Sequence, residues 1–429
     1  MVILLPFILV IAAVFMYSFA WFVFWSMASP KSLSVMPLHP LKIWKLNKVI
    51  IGVIVSNLGL LPIGISLIKY RYFTMRNSTK SSGLLTDIQY QAGRSSNKLD
   101  IYIPESVRVM DSRSFRLNGD AKAGLQLRPV IVFIYGGGWA SGNKWMYTLV
   151  GARLREMGYV VFIPEYSVFP KGTIQDMEQE VRSATQWAFE HCVEYGGDPQ
   201  RMYLAGHSAG AHLCALAVWN DCIKRTPASL FGGPANISKS PILSSLLQNV
   251  PQGQLDNAND VLPRLRGMML YSGVYDIVEH YKHESMRGVE ELSAMSRLMG
   301  GTEESFRLWS PRFILQELVD VSASVDKDTT GSQNRQSNLL QHLKSLLPVE
   351  TLVIHGDNDR TVPVKSSTDL FVEFKALKLG SSTRFQVMEG MGHEEPVVAI
   401  MPSIAPKSKF TRPLIQELRQ FMEGGKSAI

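Results

Sequence analysis

One serine of this chain lies in a pattern typical of a nucleophile. Ser208 stands between Gly206-His207 and Ala209-Gly210, and the five residues match G-x-S-x-G. The run RMYLAGHS before the turn favours a strand, and AHLCALAVW after it favours a helix. A serine on such a sharp strand-to-helix turn presents its hydroxyl to a carbonyl carbon. The context predicts that Ser208 is the nucleophile of an acyl-transfer reaction; the alternative is a packing turn of small residues.

A serine nucleophile needs a base to take its proton, and the base needs an acid to orient it. After a turn of this type, the acid and then the base follow the serine along the chain. Asp359 follows the strand-like run TLVIHG, and His393 follows the next run, RFQVM. We therefore expect His393 to be the base and Asp359 the acid. Asp357 is the main alternative acid, although it is better suited to form the turn, and Asp276 is a third candidate.

A glycine-rich loop, YGGGW at residues 135–139, directly follows a strand-like run upstream of Ser208. Glycines allow the backbone to approach a substrate closely, and backbone amides can hold the oxyanion of an acyl-transfer reaction. We expect Gly136, Gly137 and Ala209 to donate to the oxyanion, while Gly138 shapes the loop. A phosphate-binding loop is the alternative, but neither the Walker pattern nor a complete G-x-G-x-x-G motif leading into a helix is present.

The remaining candidate residues give weaker signals. His280 and His283 could share a helix face, but no carboxylate-rich surroundings accompany them, so no metal site is expected. Arg287 faces either a substrate carboxylate or the solvent. Local packing or hydrogen bonding is expected for the other histidines near the motifs, and buried free thiols for the cysteines: His207, His212, His355, Cys192, Cys214 and Cys222.

Strand-like and helix-like segments alternate after residue 80. The apolar runs of strand length are LLTDIQYQ, KLDIYIP, PVIVFIY, YVVFIPEY, RMYLAGHS, GMMLYSGV, ETLVIHGD and RFQVMEG. Between them, stretches such as residues 174–193 carry apolar residues at spacings of three and four, which favours amphipathic helices. This alternation predicts an α/β fold with a mostly parallel central sheet and helices on both faces. Ligands of such sheets bind at the carboxyl ends of the strands.

Three polar stretches interrupt this pattern, near residues 105–127, 225–262 and 322–342. We expect them to be insertions in one catalytic domain over residues 81–429, and the last of them to be a flexible surface segment.

The first 80 residues are predicted to form a membrane anchor. Residues 1–27 contain no charged side chain, and the run from about 2 to 27 is long enough to span a bilayer. It lacks a basic start and its apolar core is long, which favours an uncleaved anchor over a signal peptide. A second run, at residues 49–68, is also long enough, and its Pro62 is tolerable in a membrane helix. The alternative for this run is a buried or membrane-dipping segment.

Basic residues around these two runs account for much of the net charge of +7. These basic residues suit contact with anionic lipid head groups. Four lie on each side of the second run, so an excess of positive charge on one side does not indicate the membrane orientation. They are Lys31, Lys42, Lys45, Lys48, Lys69, Arg71, Arg76 and Lys80. Because they flank apolar segments rather than form a separate basic face, nucleic acid is not an expected partner.

With these motifs in place, the chain resembles the α/β-hydrolase superfamily and, within it, the isoprenylcysteine methylesterase-like carboxylesterases. The resemblance covers most of residues 129–396 and rests on YGGGWASGNKW, EYSVFPKGTIQDM, YGGDPQRMYLAGHSAGAH, YSGVYDIVEHYKHESMRG, GGTEESFRLWSPRFIL and LVIHGDNDRTVP, in this order. Tyr135 departs from the wider superfamily, in which many members have a histidine at this position.

The resemblance implies catalytic roles for Ser208, Asp359 and His393, and an oxyanion loop at residues 136–138. It implies hydrolysis of the methyl ester of a prenylated cysteine, without a metal or organic cofactor, by a protein of the endoplasmic reticulum or Golgi membrane. The expected partners are a lipophilic ester, such as a prenylated protein C-terminus, and membrane lipids. The alternatives are a membrane-anchored lipid, steryl-ester or short-acyl esterase, and a non-catalytic binding protein of the same fold.

Overall fold

A computed structural model describes residues 4–27, 37–76, 83–92, 97–108, 126–248, 261–324, 332–377, 383–402 and 408–423. Most of the predicted insertion near 105–127, and residues 249–260 of the one near 225–262, lie outside these ranges.

The described strands form one eight-stranded sheet in the order β1-β2-β4-β3-β5-β6-β7-β8. The strand β2 pairs antiparallel with β1 and with β4, and every other pairing is parallel. All eight apolar runs predicted from the sequence are strands, which confirms the mostly parallel α/β sheet. Their bounds are β1 Leu84–Gln89, β2 Lys98–Tyr102, β3 Arg128–Ile134, β4 Val160–Pro164, β5 Gly197–His207, β6 Gly267–Tyr271, β7 Glu350–Gly356 and β8 Thr383–Met388.

Helices precede the sheet, connect its strands and follow it. In chain order, those of the described residues are α1 Leu4–Met27, α2 Pro40–Gly59, α3 Leu61–Arg76, α4 Glu105–Arg108, α5 Thr148–Glu156, α6 Ile174–His191, α7 Ala209–Lys224, α8 Pro234–Ile237, α9 Pro241–Gln248, α10 Ile277–Arg287, α11 Met295–Leu298, α12 Glu303–Leu308, α13 Pro311–Ser324, α14 Ser332–Leu346, α15 Lys365–Ala376, α16 Glu395–Val398 and α17 Thr411–Met422, with 3₁₀ turns at Lys144–Tyr147 and Cys192–Tyr195.

The central strands are buried on both faces, and their parallel direction brings the loops after them to one edge of the sheet. Apolar residues fill β3, β4 and β6, and the helix α6, which carries the predicted apolar stripe, packs against β3, β4 and β5. The helix α6 begins at Ile174 because Thr173 and Asp176 cap its free amides reciprocally. Since β3, β5, β7 and β8 run in parallel, the loops after them meet at one edge of the sheet.

The N-terminal helices differ in part from the prediction of two spanning helices. Within the described residues, one stretch, Val10–Met27 in α1, is long and apolar enough to cross a membrane. The predicted second span at 49–68 is wrong as a single helix: α2 ends at Gly59 and α3 begins at Leu61. Pro62 explains the break, because it has no amide hydrogen for a continuing helix and fits the first turn of a new one. Multiple spanning helices therefore have no support.

Two of the predicted polar insertions contribute to the core. The helix α14 begins inside the stretch expected to be flexible. Leu339 and Leu343 on this helix, and Leu347 directly after it, are buried at a spacing of four residues. Part of this stripe lies beyond residue 342, so the polar composition of 322–342 concealed it. In the insertion near 225–262, Phe231 and Leu243 are fully buried.

The burial of α14 predicts a clear stability difference between two faces of one helix. Replacing Leu343, which packs in the main core, with alanine should lower the free energy of unfolding by about 2–5 kcal/mol. The matched change Gln341→Ala, on the exposed face, should cost less than about 0.5 kcal/mol. Denaturant unfolding of both variants measures this, and equal stabilities would contradict the packing of α14.

Candidate active site

Ser208 occupies a sharp turn between β5 and α7. Its backbone has φ 54° and ψ −121°, a conformation that residues with a side chain rarely adopt. The amide of Ser208 donates to the carbonyl of Tyr271 at 2.9 Å, and its carbonyl accepts from His212 at 3.1 Å, so the turn is held from both sides. These contacts keep the strained turn in place and direct the hydroxyl away from the sheet.

The glycines of the motif are required by close backbone approach. A Cβ atom on Gly206 would lie 2.5 Å from the carbonyl oxygen of Gly210, and one on Gly210 would lie 2.2 Å from that of Ile134. Real Cβ atoms do not approach backbone atoms this closely, so any side chain at either position would push β5, α7 and β3 apart.

The three residues predicted to act together form one hydrogen-bonded chain. The Oγ atom of Ser208 lies 2.9 Å from Nε2 of His393, and Nδ1 of the same ring lies 2.7 Å from Oδ2 of Asp359. Ser208 follows β5, Asp359 follows β7 and His393 follows β8, so the parallel sheet brings together residues that lie up to 185 positions apart. All three side chains are largely buried.

The Asp359 carboxylate is strongly stabilised in its charged form. Its Oδ1 atom accepts from the amides of Thr361 and Val362 at 2.9 and 2.8 Å, and its Oδ2 atom also lies 3.2 Å from Nε2 of His355. Burial alone would raise the pKa of Asp359, but the hydrogen bonds and charges of His355 and His393 outweigh it and hold the pKa well below its usual range. The carboxylate is therefore ionised wherever His393 titrates.

The pKa values of two neighbouring histidines, His393 and His207, are shifted in opposite directions. Burial would lower the pKa of His393, but the hydrogen bond and charge of Asp359 raise it above its usual value. His207 is buried beside it, and this burial, with repulsion from His393, lowers its pKa to about 4. His207 donates from Nε2 to the carbonyl of His393 at 2.9 Å. The neutral His207 therefore holds the backbone of the histidine that is poised to take a proton.

The glycine loop differs from prediction at its first glycine, Gly136. The amide of Gly136 donates to the hydroxyl of Tyr147 at 3.1 Å, so it is not directed at a substrate, and the expectation that Gly136 is an oxyanion donor is wrong. The same hydroxyl lies 3.5 Å from Nδ1 of His207. Tyr147 comes from the 3₁₀ turn eleven residues downstream, and no signal in the sequence marked it. Gly136 itself is needed because a Cβ atom there would lie 2.8 Å from the carbonyl oxygen of His207.

Three other amides remain available near Ser208. Within the described part of the chain, the amides of Gly137, Gly138 and Ala209 donate to no protein group. Gly137 and Gly138 have φ values of 141° and 58°, which turn the loop sharply after β3. Ala209 is the first residue of α7, whose positive N-terminal end favours a nearby negative charge. The arrangement suits an anion that forms beside the Ser208 hydroxyl.

His212 ties the glycine loop to α7 and to the chain before α13. Its Nδ1 atom accepts from the indole of Trp139 at 3.2 Å, and its Nε2 atom donates to the carbonyl of Trp309 at 2.7 Å. Burial lowers the pKa of His212 to about 4, so the ring stays neutral and keeps both bonds at neutral pH. This agrees with the local hydrogen-bonding role expected from the sequence.

The two alternative acids have other partners. The carboxylate of Asp357 accepts from the amide of Gly390 at 2.6 Å, as expected for a turn residue. Asp276 caps α10 by accepting from the amide of Glu279, and it pairs with Arg312 at 2.7 Å. Neither is hydrogen-bonded to His393.

One face of α10 lies beside the loop that carries Asp359. His283 donates to the carbonyl of Arg360 at 3.0 Å, and the buried His280 lies 3.6 Å from Glu284. Burial lowers the pKa of His280 to about 3 and raises that of Glu284 to about 7. Arg287 is half-buried at the end of this helix, and its charge acts on His393. Within the described residues, no group of three or more His, Cys, Asp or Glu is arranged to hold a metal ion.

Comparison with known proteins agrees with this architecture. Residues 120–316 match the BD-FAE family model. A probable isoprenylcysteine alpha-carbonyl methylesterase from Arabidopsis thaliana is 26% identical over 299 residues, which cover 70% of this chain and 48% of the relative. An isoprenylcysteine alpha-carbonyl methylesterase from the same plant is 25% identical over 70% of this chain and 54% of its own length. The chain thus spans about half the length of these curated relatives.

A solved structure supports the fold independently. The crystal structure of esterase B from Lactobacillus rhamnosis superposes with a TM-score of 0.52 at 17% identity, over 85% of this chain and 96% of that one. At this identity the likeness concerns the fold. Together with the sequence relatives, it shows that the chain is similar to the isoprenylcysteine methylesterase-like carboxylesterases and shares its fold with a solved esterase.

Proposed function

We propose that this chain is a serine carboxylesterase with Ser208 as nucleophile, His393 as base and Asp359 as the orienting acid. The observation that carries the proposal is the continuous hydrogen-bonded chain from the Ser208 hydroxyl through His393 to Asp359. A serine hydroxyl becomes a nucleophile when a neutral imidazole accepts its proton in this geometry. The names of the sequence relatives support ester hydrolysis.

The reaction has two steps. Ser208 Oγ attacks the ester carbonyl carbon while His393 Nε2 accepts its proton, and the charge that develops on the carbonyl oxygen is held by the amides of Gly137, Gly138 and Ala209. His393 then gives the proton to the departing alcohol, which leaves an acyl group on Ser208. Water attacks this acyl group with His393 again as base, and the acid is released. Asp359 stabilises the imidazolium that forms in each step.

The proposed substrate is a lipophilic ester, and the first candidate is the methyl ester of a prenylated cysteine at a protein C-terminus. Two observations support this choice: the names of the relatives, and the apolar helix α1 before the catalytic domain. An anchored enzyme meets a membrane-bound ester at high effective concentration. An anchor over residues 1–80, a catalytic domain over 81–429 and a place in the endoplasmic reticulum or Golgi membrane are parts of the same proposal. A lipid, steryl or short-acyl ester is the alternative substrate.

Hydrolysis of a prenylcysteine methyl ester by detergent-solubilised protein tests both parts of this proposal. Ser208→Ala should lower kcat by at least about 10³-fold because the nucleophile is removed. Ser208-dependent cleavage of a short acyl ester alone would retain the mechanism and change the substrate. A folded protein that cleaves neither ester above the level of the variant would contradict the enzyme assignment and favour a binding protein.

The raised pKa of His393 predicts the pH dependence of kcat/KM. Only the neutral imidazole can accept the Ser208 proton, so the rate should fall as the pH drops through the pKa of His393, with a midpoint above its ordinary value of 6.5. Asp359→Asn removes the charge that raises this pKa and should move the midpoint to lower pH, besides lowering kcat by about 10⁴-fold. A pH profile on an activated ester measures both effects, and an unchanged or higher midpoint in the variant would contradict the role of Asp359.

Two adjacent glycines give a graded test of the oxyanion loop. A Cβ atom on Gly137 would lie 2.2 Å from the carbonyl oxygen of Ser141, whereas one on Gly138 would meet no atom within 4 Å. Gly137→Ala should therefore displace the loop and lower kcat by about 10²-fold, the scale of one lost oxyanion donor. Gly138→Ala should cause a clearly smaller loss, because the new Cβ atom has room. An unchanged kcat in Gly137→Ala would show that the loop does not hold the reacting oxygen.

A further inference from the structure

Lys42 of α2 binds the catalytic domain. Its ammonium group lies 3.4 Å from Oε1 of Glu290 and 3.0 Å from Oε2 of Glu291, both in the segment between α10 and α11. A small apolar cluster lies beside this ion pair: Ala20 of α1 with Ile43 and Leu46 of α2 form its buried part, and Val289 and Leu292 pack against them. Lys42, which was expected to contact lipid head groups, therefore holds the segment that follows α10. One face of α10 lies beside the loop that carries Asp359.

The end of α1 is linked to the glycine loop through two side chains. Arg297 donates to the carbonyl of Met27 at 3.3 Å, and its guanidinium group lies 5.3 Å from the ring centre of Phe169. The amide of Phe169 donates to the carbonyl of Trp139, the last residue of the loop, at 2.8 Å. The apolar N-terminal helix thus ends close to the loop that flanks Ser208.

A second basic residue makes a similar contact close to the 3₁₀ turn that follows the glycine loop. Arg71 of α3 lies 3.5 Å from the buried carboxylate of Asp100 and donates to the hydroxyl of Thr148 at 3.2 Å. Its guanidinium group lies 5.9 Å from the ring centre of Trp145, in the same 3₁₀ turn that supplies Tyr147. Lys42 therefore fastens α2 to the segment after α10, and Arg71 fastens α3 to β2 and to the start of α5.

The outer surface of this assembly is apolar. Trp145, Met146 and Met286 of the catalytic domain are exposed. So are many apolar residues of the N-terminal helices: Val10, Ile11, Val14, Phe15, Phe22, Trp25, Leu41, Trp44, Ile51, Val53, Ile54, Val55, Leu58, Leu61, Ile65, Ile68, Tyr72 and Phe73. Large exposed apolar surfaces that include Trp, Tyr and Lys at their margin are typical of contact with a lipid bilayer.

We infer that the N-terminal helices form a fixed wall beside the active-site entrance and hold that entrance against a lipid bilayer, so that the ester enters from the membrane. The inference rests on the esterase chemistry proposed above and names the source of its substrate. A flexible tether would leave the orientation of the catalytic domain free. Here the ion pairs of Lys42 and Arg71 and the Arg297–Met27 hydrogen bond set the orientation, because they join the helices to three separate segments of the catalytic domain.

The test compares one ester in a bilayer with one in water, using the full-length protein in phosphatidylcholine vesicles. The bilayer substrate is p-nitrophenyl palmitate dissolved in the vesicles, and the soluble substrate is p-nitrophenyl acetate. Lys42→Glu places a negative charge against Glu290 and Glu291 and should lower the rate on the palmitate about fivefold or more, on the scale of a partly exposed ion pair or above. The rate on the acetate should change by less than about twofold. Vesicle flotation should show the variant still bound through α1.

Matched variants separate orientation from general damage. Lys48→Glu makes the same charge change six residues further along α2. Among the described residues Lys48 contacts only Trp44 of its own helix, so this variant should leave both rates unchanged. Combining Lys42→Glu with Glu290→Lys and Glu291→Lys should restore the rate on the palmitate. Glu291→Gln removes the 3.0 Å contact from the other side and should lower the palmitate rate alone, in a milder form.

Equal losses on both esters, or no loss on either, in Lys42→Glu and Glu291→Gln would overturn the inference. So would wild-type protein that cleaves the acetate but not the vesicle-bound palmitate, although esterase chemistry would then stand. If the wild type cleaved neither ester in a Ser208-dependent way, the proposed function itself would fail.

Discussion

The close approach of three backbone segments at Gly206 and Gly210 is the constraint on which the proposed site depends. Because neither residue carries a side chain, β5 can turn into α7 directly against the end of β3, and Ser208 is held at φ 54° at the tip of the turn. This turn sets three positions at once: the Ser208 hydroxyl, the Ala209 amide and the glycine loop after β3. The parallel order of β5, β6, β7 and β8 then brings Asp359 and His393 to the same edge.

Charge within this edge is arranged around one buried carboxylate. Asp359 remains ionised because two amides and two histidines surround it, and its charge raises the pKa of His393 against the effect of burial. His207 and His212, buried without such a partner, stay neutral and serve as hydrogen-bonding braces for the backbone. Histidines at neighbouring positions thus differ in their pKa. The Asp359 carboxylate determines which imidazole accepts a proton near neutral pH.

Local patterns in the sequence predicted the sheet well, because each strand is a short apolar run. All eight predicted runs are strands of the described sheet. They also placed Ser208, Asp359 and His393 on loops that meet, although the catalytic roles remain predictions. The predictions failed where contacts between residues far apart in the chain determine the structure. The Gly136 amide donates to the hydroxyl of Tyr147, and α14 packs into the core despite its polar composition. For Lys42 and Arg71 the local sequence predicts lipid contact, because their acidic partners lie far away along the chain.

The most direct test of the central claim is to trap the nucleophile. A fluorophosphonate reacts covalently with a serine whose proton is taken by a neighbouring imidazole and whose oxyanion amides are in place. Peptide mass spectrometry after labelling of the full-length protein should find the phosphonyl group on Ser208, with labelling abolished in Ser208→Ala and slowed strongly in Asp359→Asn. Modification of a different residue, or no modification of folded protein, would contradict the account.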